Sequence, residues 1–170
     1  MTGVQTCALP ISSARAFADA AGFEPKAGRH LLLPARSGLG GVLFGLGDPD
    51  EARNDPFLPG RLPQILPGGV YRFANEAPDP RLAALAFALG SYRFTRYRKP
   101  DERELKLDLP QSLDRDDLVR IVEAVTLARD LINTPANDMG PAELALAAQA
   151  IAERYGASFA CIIEIGRAHV

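Results

Sequence analysis

Short apolar runs alternate along this chain with longer segments of helical periodicity, and this alternation is what most constrains the fold. The short runs lie between Gly and Pro turns and predict strands at residues 30–34, 42–46, 70–74, 105–109 and 158–163. The longer segments repeat apolar residues three and four positions apart and predict helices at residues 12–21, 79–90, 114–132 and 141–155. Strands that alternate with helices predict an α/β fold, a layered sheet with flanking helices.

Residues that start and stop helices divide the chain into parts. Gly22 can close the first predicted helix. Asp79 followed by Pro80 is a strong helix start, and Leu82, Leu85, Ala86 and Leu89 then share one face of that helix. Asp114 begins the longest amphipathic helix. Pro135 ends that helix, and Gly140 with Pro141 opens the next. We therefore expect one α/β domain at residues 12–134, followed at residues 135–163 by a junction and the first helix and strand of a second domain.

Composition narrows the classes of protein that this chain can represent. Its 170 residues and 47% hydrophobic content suit an ordinary globular core. Lys+Arg 19 against Asp+Glu 21 gives a net charge of -2, which argues against nucleic-acid binding driven by bulk charge. No run approaches the roughly 20 apolar residues of a membrane span. Two cysteines and two histidines give no disulfide framework and little basis for a metal site.

The two ends differ from the rest of the chain. Residues 2–11 and 164–170 can be back-translated into strings of which the second, from its third base on, is the reverse complement of the end of the first. A sequencing adapter read at both ends of a short insert has this property. On this hypothesis residues 1–11 and 164–170 are artefacts that contribute little to the core, Cys7 and His169 carry no chemistry, and both natural termini lie outside the chain.

Several isolated side chains could carry chemistry, and for each we favour a structural role. His30 has no other His or Cys nearby, which favours a structural histidine over a metal ligand. Cys161 lies in a predicted buried strand without a neighbouring base, which favours a small core residue over a nucleophile. Asp114, Asp116 and Asp117 lie in a first helical turn, where carboxylates stabilise the helix dipole.

Two short segments resemble ligand-binding sequences. Ser37–Gly41 is rich in glycine, as phosphate-binding loops are, but it lacks the dinucleotide spacing and a following helix, which favours a hairpin turn. Ser91–Lys99 interleaves aromatic residues with arginines, a pattern that can stack on bases and pair with phosphates. A helix end with arginines that extend to solvent has the same pattern, and we consider nucleic-acid binding the weaker interpretation.

The segment ARDLINTPANDMGPAEL, which begins at Ala128, is the most specific motif in the chain. It consists of a helix, a proline stop, a connection rich in Asn and Asp, and a proline-capped restart, and Asn and Asp side chains can hold such a connection in one shape. It resembles the domain junction of the leucyl aminopeptidase family, the two-metal cytosolic aminopeptidases. The upstream segment LGSYRFTRYRK is similar to the bacterial branch of that family, and the resemblance covers about residues 21–159.

The resemblance implies a macro-domain-like N-terminal domain that is not catalytic, followed by a larger catalytic domain. It implies a cytoplasmic parent enzyme, usually a hexamer, that releases N-terminal residues from peptides with two divalent ions, zinc or manganese. The family motifs DTGG and NTDAEGR, which carry metal ligands, are absent here. We therefore assign no catalytic, metal-binding or substrate-binding residue and expect no activity from this chain alone. Residues 129–135 and 137–141 match the family junction, and this match implies only a structural role for them.

Two other functions remain open at this point. A macro-like domain could bind ADP-ribose or a nucleotide, and an Asp or Asn after the first strand with a phosphate loop before a helix would indicate it; we find no such pair. The domain could also help to assemble an oligomer. A further expectation follows from the predicted boundary near residue 135. The apolar face of the second helix (Leu144, Ala148, Ile151 and Tyr155) should be less buried than that of the first (Leu118, Ile121, Val122 and Val125).

Overall fold

The computed structural model describes residues 2–5, 11–36, 38–47, 55–75, 77–99 and 102–162. The strands are β1 (Thr2–Gln5), β2 (His30–Ala35), β3 (Gly38–Phe44), β4 (Gly69–Phe73) and β5 (Leu105–Leu107). The helices are α1 (Ile11–Ala20), α2 (Leu62–Ile65), α3 (Pro80–Gly90), α4 (Arg115–Asn133) and α5 (Pro141–Arg154), and a 3-10 helix (Leu58–Arg61) leads directly into α2. The predicted mixed α/β fold is confirmed.

Within the described residues the strands form one five-stranded sheet in the order β2-β3-β1-β4-β5. The first four strands in this order pair antiparallel with one another, and β5 pairs with β4 in parallel. The predicted hairpin of β2 and β3 is confirmed, with Ala35 opposite Gly38 beside its turn. The register shifts between Leu33 and Pro34, and Pro34 is tolerated because it lies at this irregularity in an edge strand.

Three strand predictions are wrong. Residues 38–41 belong to strand β3 and not to a turn. Thr2–Gln5 forms strand β1 between β3 and β4, which the sequence does not predict. That residues 1–11 contribute little to the core stays a prediction. Strand pairing uses the backbone groups that every residue carries, so an unusual sequence does not prevent it. Residues 157–162 form no strand, because a strand needs a partner to bond with and the structure gives them none. The corresponding expectation for residues 164–170 lies outside the described residues.

Helix α1 ends as the sequence predicts, at a left-handed glycine. Gly22 has a φ of 61°. Its N–H donates to the carbonyl of Asp19 over 3.1 Å, and the N–H of Phe23 donates to the carbonyl of Ala18 over 2.9 Å. This pair of bonds is a Schellman motif, which satisfies carbonyl groups that the end of the helix would otherwise leave free.

Helix α3 contains more buried residues than any other described element. Asp79 caps it by accepting a hydrogen bond of 2.9 Å from the N–H of Leu82, and Pro80 occupies its first position, both as predicted. The predicted single apolar face is wrong, because five consecutive residues, 83–87, are buried while Leu82 and Leu89 are only partly so. The helix is apolar on nearly all sides because it packs against the 3-10 helix and α2 as well as against β5.

Two apolar clusters form the core, and α3 contributes to both. The larger cluster joins the sheet to the 3-10 helix, α2 and α3 through Val42, Phe44, Leu58, Leu62, Leu66, Tyr71 and Phe87. The hydroxyl of Tyr71, in this cluster, donates a hydrogen bond of 2.9 Å to the carbonyl of Pro67, which satisfies its polar atom. The smaller cluster joins Ala84 and Leu85 of α3 to Leu118 of α4.

Glycine is required where α3 ends against the 3-10 helix. A Cβ atom placed on Gly90 would overlap the carbonyl oxygen of Gly60. A Cβ placed on Gly60 would in turn lie 2.9 Å from the carbonyl oxygen of Ala86. The two backbones therefore approach more closely than any side chain permits, and neither atom can move without shifting a whole element.

We expect Gly90→Ala to lower the free energy of unfolding by about 2–3 kcal/mol, because the added methyl group forces α3 away from the 3-10 helix. Urea unfolding of both proteins measures this difference. Gly140→Ala is the matched control, since a Cβ there meets only the movable end of the Glu143 side chain. Equal stability of the two variants would contradict the close approach.

The chain forms two compact units, with one ending at Thr126 and the other beginning at Leu127, inside α4. The domain boundary that the sequence places near residue 135 stays a prediction. The predicted difference in burial between the helices is confirmed. Leu118 of α4 is buried and its neighbours Ile121 and Val122 are partly buried, whereas α5 has no buried residue. None of the described helices combines the length and the apolar character that a membrane crossing requires.

Candidate functional site

An open groove of about 280 Å³ lies between α3, β5 and the first half of α4. Its floor is apolar, and its rim carries one cation, one anion and one hydroxyl. The floor is formed by Ala84, Phe87, Ala88, Leu105, Leu107, Leu109, Leu118, Val119 and Val122, and the rim by Ser91, Arg115 and Glu123. This mainly apolar lining can receive an apolar group.

This groove is not predicted from the sequence. The leucines of α3 recur on one face of the helix, whereas the groove uses Ala84, Phe87 and Ala88 from other sides of it. One signal was available: residues 80–90 contain a single charged side chain, Arg81, and a helix that is apolar nearly all round is expected to be buried on several sides.

The carboxylates at the start of α4 have the structural role that the sequence favours. Asp114 caps α4, since its side chain accepts from the N–H groups of Asp116 and Asp117 over 3.0 and 3.1 Å. Asp117 binds the guanidinium of Arg81 on α3 over 2.6 Å and also accepts from Arg120. These hydrogen bonds from Arg81 and Arg120 hold the pKa of the Asp117 carboxyl below its ordinary value. The cluster therefore ties α4 to α3.

The segment Ser91–Lys99 forms a local cluster at the end of α3. The rings of Phe94 and Tyr97 meet edge to face, with centroids 5.8 Å apart, and the Arg96 guanidinium lies 5.8 Å from the centre of the Tyr97 ring. Arg93 donates to the carbonyl groups of Gly90 and Tyr92 over 3.1 and 2.9 Å. Its charge thus faces the negative end of the helix dipole. This arrangement supports the interpretation as a helix end rather than as a nucleic-acid surface.

The glycine-rich segment is not a phosphate loop. Gly41 is paired with Leu33 of β2 on one side and with Gln5 of β1 on the other, so its backbone is part of the sheet. After β3, the next helix among the described residues begins at Leu58. A phosphate loop needs free N–H groups directly before a helix.

The remaining candidates are also placed by the structure. His30 begins β2 and is exposed. Cys161 is an exposed free thiol outside any strand, so its predicted burial in the core is wrong. Its surroundings lack the sheet that the prediction assumed. In the part of the chain that the structure describes, no three His, Cys, Asp or Glu side chains come together to hold a metal ion.

The junction between α4 and α5 is a shaped connection. The Thr134 hydroxyl donates to the carbonyl of Asp130 over 2.6 Å, and Thr134 is buried. After Pro135, the N–H of Asp138 donates to the Pro135 carbonyl over 2.9 Å, which closes a turn. The Glu143 carboxylate accepts from the N–H of Gly140 over 3.0 Å where α5 begins. These groups bond within the junction, as a structural role requires.

Known proteins are similar to this chain in both sequence and fold. The family model described as the M17 aminopeptidase N-terminal domain matches residues 9–110. The chain belongs to the M17 aminopeptidase family. A probable cytosol aminopeptidase of Nocardia farcinica is 35% identical over 159 residues, which cover 81% of this chain and 31% of that protein. A second probable cytosol aminopeptidase, from Methylobacterium radiotolerans, is 34% identical, and the match covers 86% of this chain and 34% of that protein.

Solved structures show the same fold as this M17 chain. The crystal structure of cytosol aminopeptidase from Coxiella burnetii superposes with a TM-score of 0.70 and 37% identity over 84% of this chain and 31% of that one. Tomato leucine aminopeptidase (the K354E mutant) shares the fold, with a TM-score of 0.61 and 24% identity. The match covers 84% of this chain and 33% of the tomato chain. The chain thus spans about a third of the length of the curated relatives it matches. M17 aminopeptidases are metal-dependent, but the described residues do not fit a metal site, and no catalytic step is placed on them.

We expect Asp117→Asn to lower Tm at pH 7 by about 1–3 °C, because the ion pairs with Arg81 and Arg120 are lost. The pKa of Asp117 is lower in the folded protein than in the unfolded chain. The stabilisation is therefore complete above the ordinary carboxyl pKa of about 4 and is lost as the pH falls through the lowered value. The difference in Tm between the two proteins should accordingly shrink below pH 4.

Thermal unfolding followed by circular dichroism between pH 7 and pH 2.5 measures both effects. Asp116→Asn is the matched control, since it removes an exposed charge from the same helical turn. If Asp117→Asn behaves like this control at pH 7, or if its deficit persists at pH 2.5, the ion pair does not stabilise the contact between α3 and α4.

Proposed function

We propose that this chain supplies the N-terminal, noncatalytic domain and the domain junction of an M17 aminopeptidase. The parent enzyme would hydrolyse the first peptide bond of a peptide and release the N-terminal amino acid, with leucine as a typical product. The observation that carries this proposal is the match of residues 9–110 to the N-terminal domain of the family. The bonded junction that follows these residues supports it, because a shaped connection suits a passage between domains.

The chemistry of the parent enzyme is proposed for the part that lies outside this chain. Two divalent ions, zinc or manganese, would be held there. One relative in the family fold, the bottromycin maturation enzyme BotP, has been solved in complex with manganese. The role of the present residues is then to fold, to carry the junction and to position the following domain. We also propose a cytoplasmic location and assembly into a hexamer, the first in keeping with relatives named cytosol aminopeptidases.

Binding of ADP-ribose or a nucleotide is the less supported function. It would need a phosphate loop, and the glycines that suggested one lie in a paired strand. The groove beside α3 is lined mainly by apolar side chains and has one cation on its rim, Arg115, which suits an apolar group better than a diphosphate.

The proposal predicts that the purified chain alone releases no p-nitroaniline from leucine p-nitroanilide, with manganese or zinc added, above a blank of metal alone. A chimera tests whether this chain can support the catalytic part of a relative. It joins residues 1–162 of this chain to the part of the Coxiella burnetii aminopeptidase that follows the matched region. This chimera should release leucine from peptides.

Two results would overturn the proposed function. The first is turnover by the isolated chain that survives repurification and scales with its concentration. The second is a chimera that folds and binds metal but remains inactive, while the unmodified Coxiella enzyme is active in the same assay.

A further inference from the structure

The groove between α3, β5 and α4 has opposite charges at two separate points of its rim. Arg115 lies at the start of α4, and Glu123 lies eight positions later on the same helix. This spacing corresponds to about 12 Å along the helix axis. A ligand that pairs with both side chains must therefore carry an anionic and a cationic group about that far apart, with an apolar part between them to contact the floor.

The groove is bordered by the last strand of the described sheet, β5. Tyr71 of β4 lies opposite Leu107, and its carbonyl accepts from the N–H of Asp108 over 2.7 Å. In a parallel pair a residue bonds to the two neighbours of the residue opposite it. The N–H and C=O groups of Leu107, and likewise those of Leu105, therefore point away from β4. An added strand could bond to these groups, as in other peptide-binding sheet edges.

The same two leucines join this edge to the groove. The side chains of Leu105 and Leu107 line the groove and are partly buried. A strand that pairs with β5 would place alternate side chains on the side of the sheet where the groove lies. The floor there is apolar, with Phe87 from α3 and Leu118 from α4. Its volume of about 280 Å³ suits a small apolar side chain rather than a large ligand.

We propose that this groove binds a short extended peptide with free ends and an apolar side chain in its middle. The peptide adds a strand to β5 by bonding to Leu105 and Leu107. Its carboxylate pairs with Arg115, its ammonium group pairs with Glu123, and its middle side chain lies on the apolar floor. Three or four extended residues span about 10–14 Å, which matches the spacing of the two charges. All of these residues lie in the unit that ends at Thr126.

Charge complementarity favours a peptide over other ligands with an apolar part. A fatty acid would pair with Arg115 but would bring no cation to Glu123. A single amino acid carries both charges, but they are attached to the same carbon atom and cannot reach both side chains. A peptide with blocked ends would keep the strand pairing and lose both ion pairs. The free ends of the peptide are therefore the part of the proposal that is easiest to test.

The first test titrates the ¹⁵N-labelled chain with the tripeptide Ala-Leu-Ala and follows the amide signals by NMR. We expect a Kd of about 0.1–1 mM. The amide signals of Leu105 and Leu107 should shift, and their hydrogen exchange should slow by at least about three-fold at saturating peptide. The same tripeptide with both of its peptide nitrogens methylated cannot donate to the edge, and it should bind at least about ten-fold more weakly.

The second test pairs each rim charge with one end of the peptide. Arg115→Gln should weaken the binding of Ala-Leu-Ala by about two- to five-fold. It should not weaken the binding of the C-terminally amidated peptide, because that peptide has already lost the ion pair. Glu123→Gln should show the same relation to the N-acetylated peptide.

The third test places a charge on the floor of the groove. Val119 lines the groove and is 42% exposed, so Val119→Glu should fold, and it should weaken binding at least about ten-fold. Ala124→Glu is the matched control, since Ala124 is an exposed residue of the same helix that does not line the groove. It should change binding by less than about two-fold. Circular dichroism checks that both variants fold, and the blocked peptides test the proposal on the unmodified chain if one does not.

Several outcomes would overturn the inference. Absence of any shift with about 10 mM Ala-Leu-Ala would exclude the site. Equal binding of the blocked or methylated peptides would exclude the ion pairs or the strand pairing. Tighter binding of decanoate than of the tripeptide would make a fatty acid the ligand, and a dimer that shifts the signals of Leu105 and Leu107 without peptide would make a second copy the occupant. The inference goes beyond the proposed function, and because no assay here measures activity, its failure is separable from failure of that proposal.

Discussion

The placement of α3 between two apolar clusters is the constraint on which the rest of the described N-terminal unit depends. Phe87 closes the cluster on the sheet side, while Ala84 and Leu85 contact Leu118 of α4. A helix buried on several sides cannot carry charges there, which explains why Arg81 is the single charged residue in its sequence. It must also approach its neighbours closely, and the contact of Gly90 with Gly60 makes this possible. The groove beside β5 and the ion pair to Asp117 are both consequences of this position, since each uses an α3 side chain to meet α4.

Local signals predicted the ends of the helices well, because capping is decided by a few adjacent residues. Asp79 and Asp114 bond to N–H groups within their own first turns, and Gly22 takes the left-handed conformation that closes α1. Pro135 and Pro141 bracket the junction, as their fixed φ angles require. Apolar and polar residues also alternate from Leu105 to Leu109, and in the structure these positions alternate between partly buried and exposed. Each of these features is encoded within about five residues of where it acts.

Predictions that depend on a partner distant in sequence failed. Residues 38–41 look like a turn locally, yet they belong to β3 because β1 and β2 bond to both of its edges. The role of Thr2–Gln5 could not be found either, since its pairing depends on backbone groups and on where β3 and β4 lie. Cys161 shows the reverse error. Its apolar neighbours indicate a buried strand, but a strand is stable only beside another, and the described structure gives this segment no such neighbour. The groove beside α3 is hidden from the sequence for a related reason, because the spacing of the leucines indicates one apolar face while the helix packs on several sides.

The contrast between the two units links this difference to function. Before Leu127, apolar side chains of the sheet and of its flanking helices are buried in two clusters. After it, α5 has an equally clear apolar stripe and a well-formed start at Gly140, yet its apolar residues remain exposed. Natural sequences are consistent across levels, so a helix with good local signals and no burial indicates a missing partner rather than a poor helix. The segment after α5 shows the same disagreement, since residues 158–162 have strand-like composition without strand pairing. Both disagreements fall within 30 residues of the junction, and in both the local pattern is present while the packing that would use it is absent from the described residues.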